Sequence, residues 1–314
     1  MRLVLLNRFV SSSRLKLSAN GSGPSLPTTK FKMKVNKEAI ISNNVVPEQF
    51  KDKVVDEMVW DLGKNRLIKF DLALLAMVAA QDWSRPICFS NTVEEGYYQG
   101  LGKYLVQEGE VLRLVPCLFL ENQKGYYTMN TQRSYDIVMN DFKYGGLGDR
   151  EMFVDENSAR IMNTLKSVHF GIADDLVRNG RQADAVKVLD RAKKEFQYVN
   201  APYYAPNNRF FNILTVQWID LYYRAGAPAN AKSIKELYIK DLKDCLRFYN
   251  LPNDYAALYA NEKKSAEDIV KRMEMLAIQY KDNEFMAELN KAFPTLVQKS
   301  TIDLTQQVPN QIFR

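Results

Sequence analysis

Apolar positions along this chain follow two rhythms, and the change between them divides it. Up to about residue 150 the apolar runs are short and mostly alternate or cluster. In FKMKV (31–35) apolar and basic residues alternate, which predicts a half-exposed strand. Lys37 to Ile41 predicts a short helix, and Pro47 suits the first position of a helical PEQFKDKV. VVDEMVWDL (54–62) reads as a strand. Asp71 to Gln81 (DLALLAMVAAQ) predicts the most apolar helix, its Leu72, Leu74, Leu75, Val78 and Ala79 covering most of the circumference, as in a helix buried on several sides. DWSRP stops it, because the residue before proline avoids the helical region. PICFS (86–90) predicts a short buried strand, GLGKYLVQ (100–107) a second short helix, and VLRLVPCLFL (111–120) a strand run interrupted at Pro116. YYTMNTQ is a strand or a loop, Tyr135 to Phe142 a helix, and YGGLGDR (144–150) a glycine-rich breaker.

From Asn157 onward the helical period takes over. Asp155 or Asn157 caps the first helix, and Gly180 ends it. Helices are then expected from Gln182 to Phe196, Asn208 to Ala225, Ala229 to Tyr249, Ala256 to Lys281 and Asn283 to Phe293, broken by Pro202, Pro206, Gly226, Pro228 and Pro252. Gly180 lies five residues before Ala185, and Gly226 five before Ala231. Ile172, Ala173 and Leu176 precede the first glycine as Trp218, Ile219 and Tyr222 precede the second. Large, small and aromatic positions in this order match the tetratricopeptide pattern over ~34 residues. An antiparallel bundle whose glycines merely end helices is the other reading.

The fold class expected is α+β: a basic arm and linker (1–30), a small mixed α/β domain (31–150), an all-helical tetratricopeptide-like helix-hairpin array (151–293) and a tail (294–314). The chain has 314 residues, 46% hydrophobic and 25% charged, enough for a sizeable core. Its net charge of +6 sits on the arm, where residues 1–35 hold Arg2, Arg8, Arg14, Lys16, Lys30, Lys32 and Lys34 and no acid. Charge on an arm rather than a folded face argues against a nucleic-acid partner. The apolar run LVLLN near the start is too short for a signal peptide, and no window suits a membrane span.

Candidate chemistry is sparse. Cys88, Cys117 and Cys245 are far apart, with no CxxC; the first two sit in apolar runs, as buried thiols do, and a disulfide between them has no support in the spacing. With a single histidine, neither a zinc site nor a triad assembles without His169, whose position on the first repeat helix suits packing. Asp174 and Asp175 are adjacent and so point to different helix faces. KYGGLGD lacks the Lys-Ser/Thr of a phosphate loop. No cofactor motif is present. The most unusual local chemistry is Trp83, Arg85, Tyr104, Glu108 and Arg113, aromatics and charges beside strand ends, where open sheets tend to bind ligands. Arg85 or Arg113 either pairs Glu108 as a structural salt bridge or grips an anionic group.

The same stretches carry a resemblance. LPTTKFKMKVNKEAI, NNVVPEQFKDKVVDEMVW, WSRPICFSNTV, YYQGLGKYLVQEGEVLRLVP and IVMNDFKYGGLGD, in this order, resemble the C-terminal region of a bacterial multi-pass, protein O-mannosyltransferase-like membrane-protein family, a domain of unknown function. Related animal proteins are O-mannosyltransferases with tetratricopeptide repeats. The likeness runs from about Arg8 to Phe293, with departures at Cys88, where the family usually has Tyr, and Gln99, where it has Leu. In that family glycosyl transfer is expected in the membrane-embedded part, using an acidic residue of an early extracytoplasmic loop and a lipid-linked donor. None of that region is in this sequence, so no catalytic residue carries over. The resemblance implies a non-catalytic accessory domain on the extracytoplasmic, periplasmic side of a bacterial membrane. Its partner would be an acceptor polypeptide or its own membrane-embedded region, with the membrane reached only through that N-terminal region. A free-standing soluble interaction module is the alternative, and a soluble enzyme using Arg85, Glu108 and Arg113 a third.

Overall fold

The chain was analysed as a computed structural model, which describes residues 29–64, 67–122, 126–206, 209–251 and 256–297. The basic arm up to residue 28, Pro252 and the tail from 298 lie outside the described residues. Two compact units divide between Ile137 and Val138, and each is described by itself.

The first unit is built on two small antiparallel sheets. Strand β1 (Lys30–Lys34) pairs with β2 (Glu57–Asp61), Phe31 opposite Trp60 and Met33 opposite Met58. The alternation read from FKMKV therefore places apolar residues on one face, where Phe31 stacks on Trp60 at 5.8 Å, and lysines on the other. Between the strands lie α1 (Lys37–Ser42), capped by the Asn36 side chain, and a 3-10 turn over Glu48–Lys53. Pro47 precedes that turn as its cap rather than opening an α-helix.

Helix α2 (Lys69–Ala79) differs from expectation. Only Asp71, Leu74, Leu75 and Val78 are buried; Phe70, Leu72 and Met77 face outward. Its apolar residues follow two faces, and the outward one is met in part by Tyr97, whose ring lies edge-on to Phe70 at 5.8 Å. The second sheet has the order β3 (Cys88–Ser90), β5 (Val111–Leu114), β4 (Leu105–Glu108), all antiparallel. The helix expected over 100–107 is instead a single 3-10 turn, Gly102–Tyr104, running into β4. Leu105 and Val106 are both fully buried and pair as strand, so the tertiary packing overrides a weakly helical stretch. Gly109 at φ +62° makes the two-residue turn to β5. Met129 adds an isolated bridge to Gln107, and α3 (Thr131–Asp136) starts earlier than expected and continues as a π-helical turn over Ile137–Asp141.

Two clasps join the sheets. The Tyr104 hydroxyl donates to the Val59 carbonyl at 3.0 Å and accepts from the Val59 N–H at 2.7 Å, completing the edge of β2. Gly100, at φ +75°, passes so close to β2 that a Cβ there would lie 1.9 Å from the Asp61 carbonyl oxygen, so only glycine fits.

The second unit is helical: α4 (Glu156–Arg178), α5 (Gln182–Glu195), α6 (Arg209–Arg224), α7 (Lys232–Tyr249), α8 (Ala260–Gln279) and α9 (Asn283–Ala292). Asp155 caps α4. Three helix pairs turn in the same way. The N–H of Arg181 bonds the Leu176 carbonyl, that of Ala227 the Tyr222 carbonyl and that of Asp282 the Ala277 carbonyl, each at 2.8–2.9 Å. The residue before each donor is left-handed: Gly180 (φ +73°), Gly226 (φ +76°) and Lys281 (φ +54°). At the third turn lysine takes the left-handed place that glycine takes in the other two. Ala185 and Ala231 are fully buried, as expected for close helix crossings. These turns recur at wider intervals than the ~34 residues of a tetratricopeptide unit. The glycine-rich segment is strapped to this unit: the Asn200 side chain donates to the Leu147 and Arg150 carbonyls and accepts from the Met152 N–H.

Together, small sheets followed by helix pairs make the α+β class expected.

Candidate functional site

Of the five residues singled out beside strand ends, the structure brings two together at a cavity. Glu108, opposite Val111, and Arg113, opposite Val106, are diagonal neighbours on one face of the β4–β5 hairpin and line a cavity of about 250 Å³ in the first unit. Glu108 is 9% exposed. One of its carboxylate oxygens accepts from the Asn130 Nδ2 at 2.9 Å, and the other lies 3.7 Å from the Arg113 guanidinium. That distance is an ion pair rather than a good hydrogen bond. The Arg113 Nε is buried with no hydrogen-bond partner among the described residues.

Residues the sequence reading missed supply the rest of the wall. Asn130 caps α3, its Oδ1 accepting from the Arg133 N–H while its amide holds Glu108. Arg133 and Lys51 bring further positive charge, Lys51 being paired with Glu48 at 2.5 Å, and Val45, Val46 and Pro47 form an apolar side. The signal was present only for Asn130, an Asn directly before a polar helix start. Lys51 and Arg133 come from a 3-10 turn and a helix far apart in sequence, and no spacing rule joins them.

The other three residues lie elsewhere. The hydroxyl of Tyr104 is occupied by Val59, and burial raises its pKa. Trp83 is 6% exposed, at φ +68°, with its indole N–H unpartnered among the described residues. Its turn is closed by Gln81, whose amide donates to the Arg85 carbonyl at 2.7 Å. Arg85 is exposed and lines no part of this cavity. It is Arg113, then, that pairs Glu108.

The remaining candidate chemistry resolves as packing. His169 is fully buried: Nε2 lies 2.7 Å from the Tyr144 hydroxyl and Nδ1 2.7 Å from the Leu165 carbonyl. Burial pushes its pKa down to about 4, so the ring is neutral at physiological pH. All three cysteines are free thiols. Cys117 is buried beneath the Phe50 carbonyl and its pKa is pushed up to about 12 by burial, whereas Cys88, expected to be buried, is exposed because β3 presents only Phe89 inward. Asp174 pairs with Arg178 and Arg224, a helix-surface network. No group of three or more metal-ligating side chains occurs among the described residues.

What the cavity offers is charge and hydrogen bonding around a small volume, below the ~300 Å³ at which drug-sized ligand pockets begin. A ligand group of a few atoms, such as a side chain, fits that size.

Comparison with known proteins gives one match: residues 4–133 fit the family model TMEM260-associated domain 2, a domain linked to a membrane-protein family. No curated protein and no solved structure matches the chain. The match covers the arm and nearly all of the first unit, including Glu108, Arg113 and Asn130. No described helix is long and apolar enough to cross a membrane.

Proposed function

Proceeding from that match, we propose that the chain is a non-catalytic accessory domain of a membrane protein O-mannosyltransferase-like glycosyltransferase. In this reading it lies on the extracytoplasmic, periplasmic side and positions the acceptor polypeptide, with the membrane-embedded catalytic region as its other partner. The observation that carries it is the match of residues 4–133 to a domain named for its association with a transmembrane protein. The chemistry of the Glu108–Arg113 cavity supports a binding role: it holds a carboxylate, an amide and guanidinium groups around an ion pair, a set suited to gripping polar side chains. The helix pairs, in this reading, form a tetratricopeptide-like surface beside it in the chain.

Affinity purification from solubilised membranes tests this. A tagged copy of the chain retains a multi-pass membrane protein with mannosyl-transfer activity, and sequence upstream of Met1 or in a neighbouring gene encodes it. Recovery of no membrane protein, with no membrane-spanning reading frame upstream or adjacent, would falsify it.

A second reading, a free-standing peptide-binding module, is favoured by the three identically capped helix pairs. It is distinguished by pull-downs that recover soluble peptide partners from cells lacking the membrane enzyme.

A further inference from the structure

The helical unit contains a buried cation with no counter-charge among the described residues. Lys166, on α4, is 6% exposed. It has no ion-pair or hydrogen-bond partner among the described residues; its marked neighbour is the Phe196 ring, 5.8 Å from Nζ to centroid. Lys166 lines a small cavity with Asn163, one turn earlier on the same helix face, and with Tyr203, Thr215 and Trp218. None of the described residues lining that cavity is acidic.

Two other polar groups of the wall are already engaged. Asn212 holds the Ala205 backbone through both its amide atoms at 2.9 Å, and the Thr215 hydroxyl donates to the Tyr203 carbonyl at 3.0 Å. These bonds fix the 203–205 loop against α6 and leave the Lys166 ammonium and the Asn163 amide on a wall that also holds Trp218, whose indole N–H has no partner among the described residues. An ammonium taken out of water without a partner is costly, and proteins keep such a group neutral or pair it. Here burial alone lowers the Lys166 pKa to about 8, which leaves it largely charged at neutral pH.

We propose that this cavity is a binding site for a single carboxylate group, held by the Lys166 ammonium and the Asn163 amide. The volume, about 20 Å³, admits one or two oxygen atoms, and one cation balances one negative charge. A phosphate or sulfate dianion would leave a charge unpaired. The carboxylate comes either from a polypeptide, at its C-terminus or an acidic side chain, or from a small free acid. The site lies in the second unit and does not depend on the reading above.

The test uses the full chain with ε-¹³C-labelled lysine, the Lys166 resonance being assigned by its loss in Lys166→Met. Its pH titration is followed with acetate, with acetyl-Ala-Ala-Ala as the free acid, and with the same peptide amidated. Acetate and the free acid should raise the Lys166 midpoint by about one unit or more, a tenfold gain in proton affinity, while the amide leaves it in place. A peptide that saturates at least tenfold below acetate identifies a polypeptide as the source; equal saturation identifies a small acid. A midpoint unmoved by either carboxylate at about 100 mM, or moved equally by the amide, overturns the site. Lys166→Met should weaken free-acid peptide binding at least tenfold in calorimetry, and unchanged binding would also overturn it.

Discussion

The two units solve the same problem, joining short elements into one body, by opposite means. The first is held by contacts between distant segments: the Tyr104 hydroxyl on Val59, Gly100 against Asp61, Asn130 on Glu108. The second repeats one local device, a helix pair closed by a left-handed residue, and adds long-range ties of tyrosine hydroxyls to aspartates on other helices or at their caps. Tyr222 donates to Asp190 and Tyr280 to Asp220, and Tyr223 and Tyr198 pair with Asp282 and Asp241. The joints of the first unit each occur once and leave little tolerance at that point, whereas the helix-closing turn of the second is repeated three times. The first unit also carries the family match and the larger cavity. Its intolerance therefore falls where the proposed binding chemistry is.

Substitutions at equivalent backbone geometry put this contrast to the test. Gly100→Ala should cost about 4 kcal/mol, because the added Cβ meets the Asp61 carbonyl in a left-handed turn. Denaturant melts read separately in each unit should show the loss in the first only. Next in size is the acid response of the second unit. The His169 pKa is lowered to about 4 in the fold against 6.5 when free, so its neutral form is what the fold accepts. That contribution is complete above pH 6.5 and is lost as pH falls through 4, about 3 kcal/mol in all. Melts of wild type and His169→Phe should diverge over that window and not above it; parallel curves would remove the histidine from the account.

Smaller effects sharpen the comparison. Tyr104→Phe strands both polar groups of Val59 and should cost about 2 kcal/mol, against about 1 kcal/mol for Tyr222→Phe, whose partner Asp190 also has Asn230. Equal losses would erase the distinction between a joint made by one side chain alone and one shared with a second partner. Lys166→Met should stabilise the chain at pH 7 by about 2 kcal/mol. The Lys166 pKa is lowered from 10.5 to about 8, so the wild type gains stability as pH rises through that range and the variant's advantage fades by 10.5. A variant less stable at pH 7 would mean that the ammonium is already satisfied. Gly180→Ala meets no atom within 4 Å, and its cost should be only the left-handed backbone, about 1 kcal/mol.

This contrast also governs what could be read from the residues. Helices α4 to α9 follow the helical period and end at caps, both local signals, so their order and approximate limits are legible. The third turn was obscured because Lys281 takes the left-handed place that glycine takes twice. In the first unit β1 was legible from alternation and β2 as a less cleanly alternating strand, but the pairing of β3 with β5 was not, since nothing local records which strands meet. GLGKYLVQ reads as helix by composition and becomes strand β4 because Leu105 and Val106 are needed in the core. The same reason hid the cavity. Glu108 and Arg113 were visible as charges beside strand ends, while Lys51, Asn130 and Arg133 reach them only through the fold.

The central claim, an accessory domain that binds but does not catalyse, is tested most directly by mannosyl transfer in reconstituted membranes. Transfer from a lipid-linked donor to an acceptor polypeptide would be compared for the membrane enzyme alone, the chain alone and the two together, with the paired variant Glu108→Gln, Arg113→Gln as a fourth arm. The account predicts no transfer by the chain alone, the greatest polypeptide transfer when both are present, and a raised acceptor KM with little change in kcat for the variant. Transfer by the chain alone, or an enzyme equally active on acceptor polypeptide without it, would contradict the account.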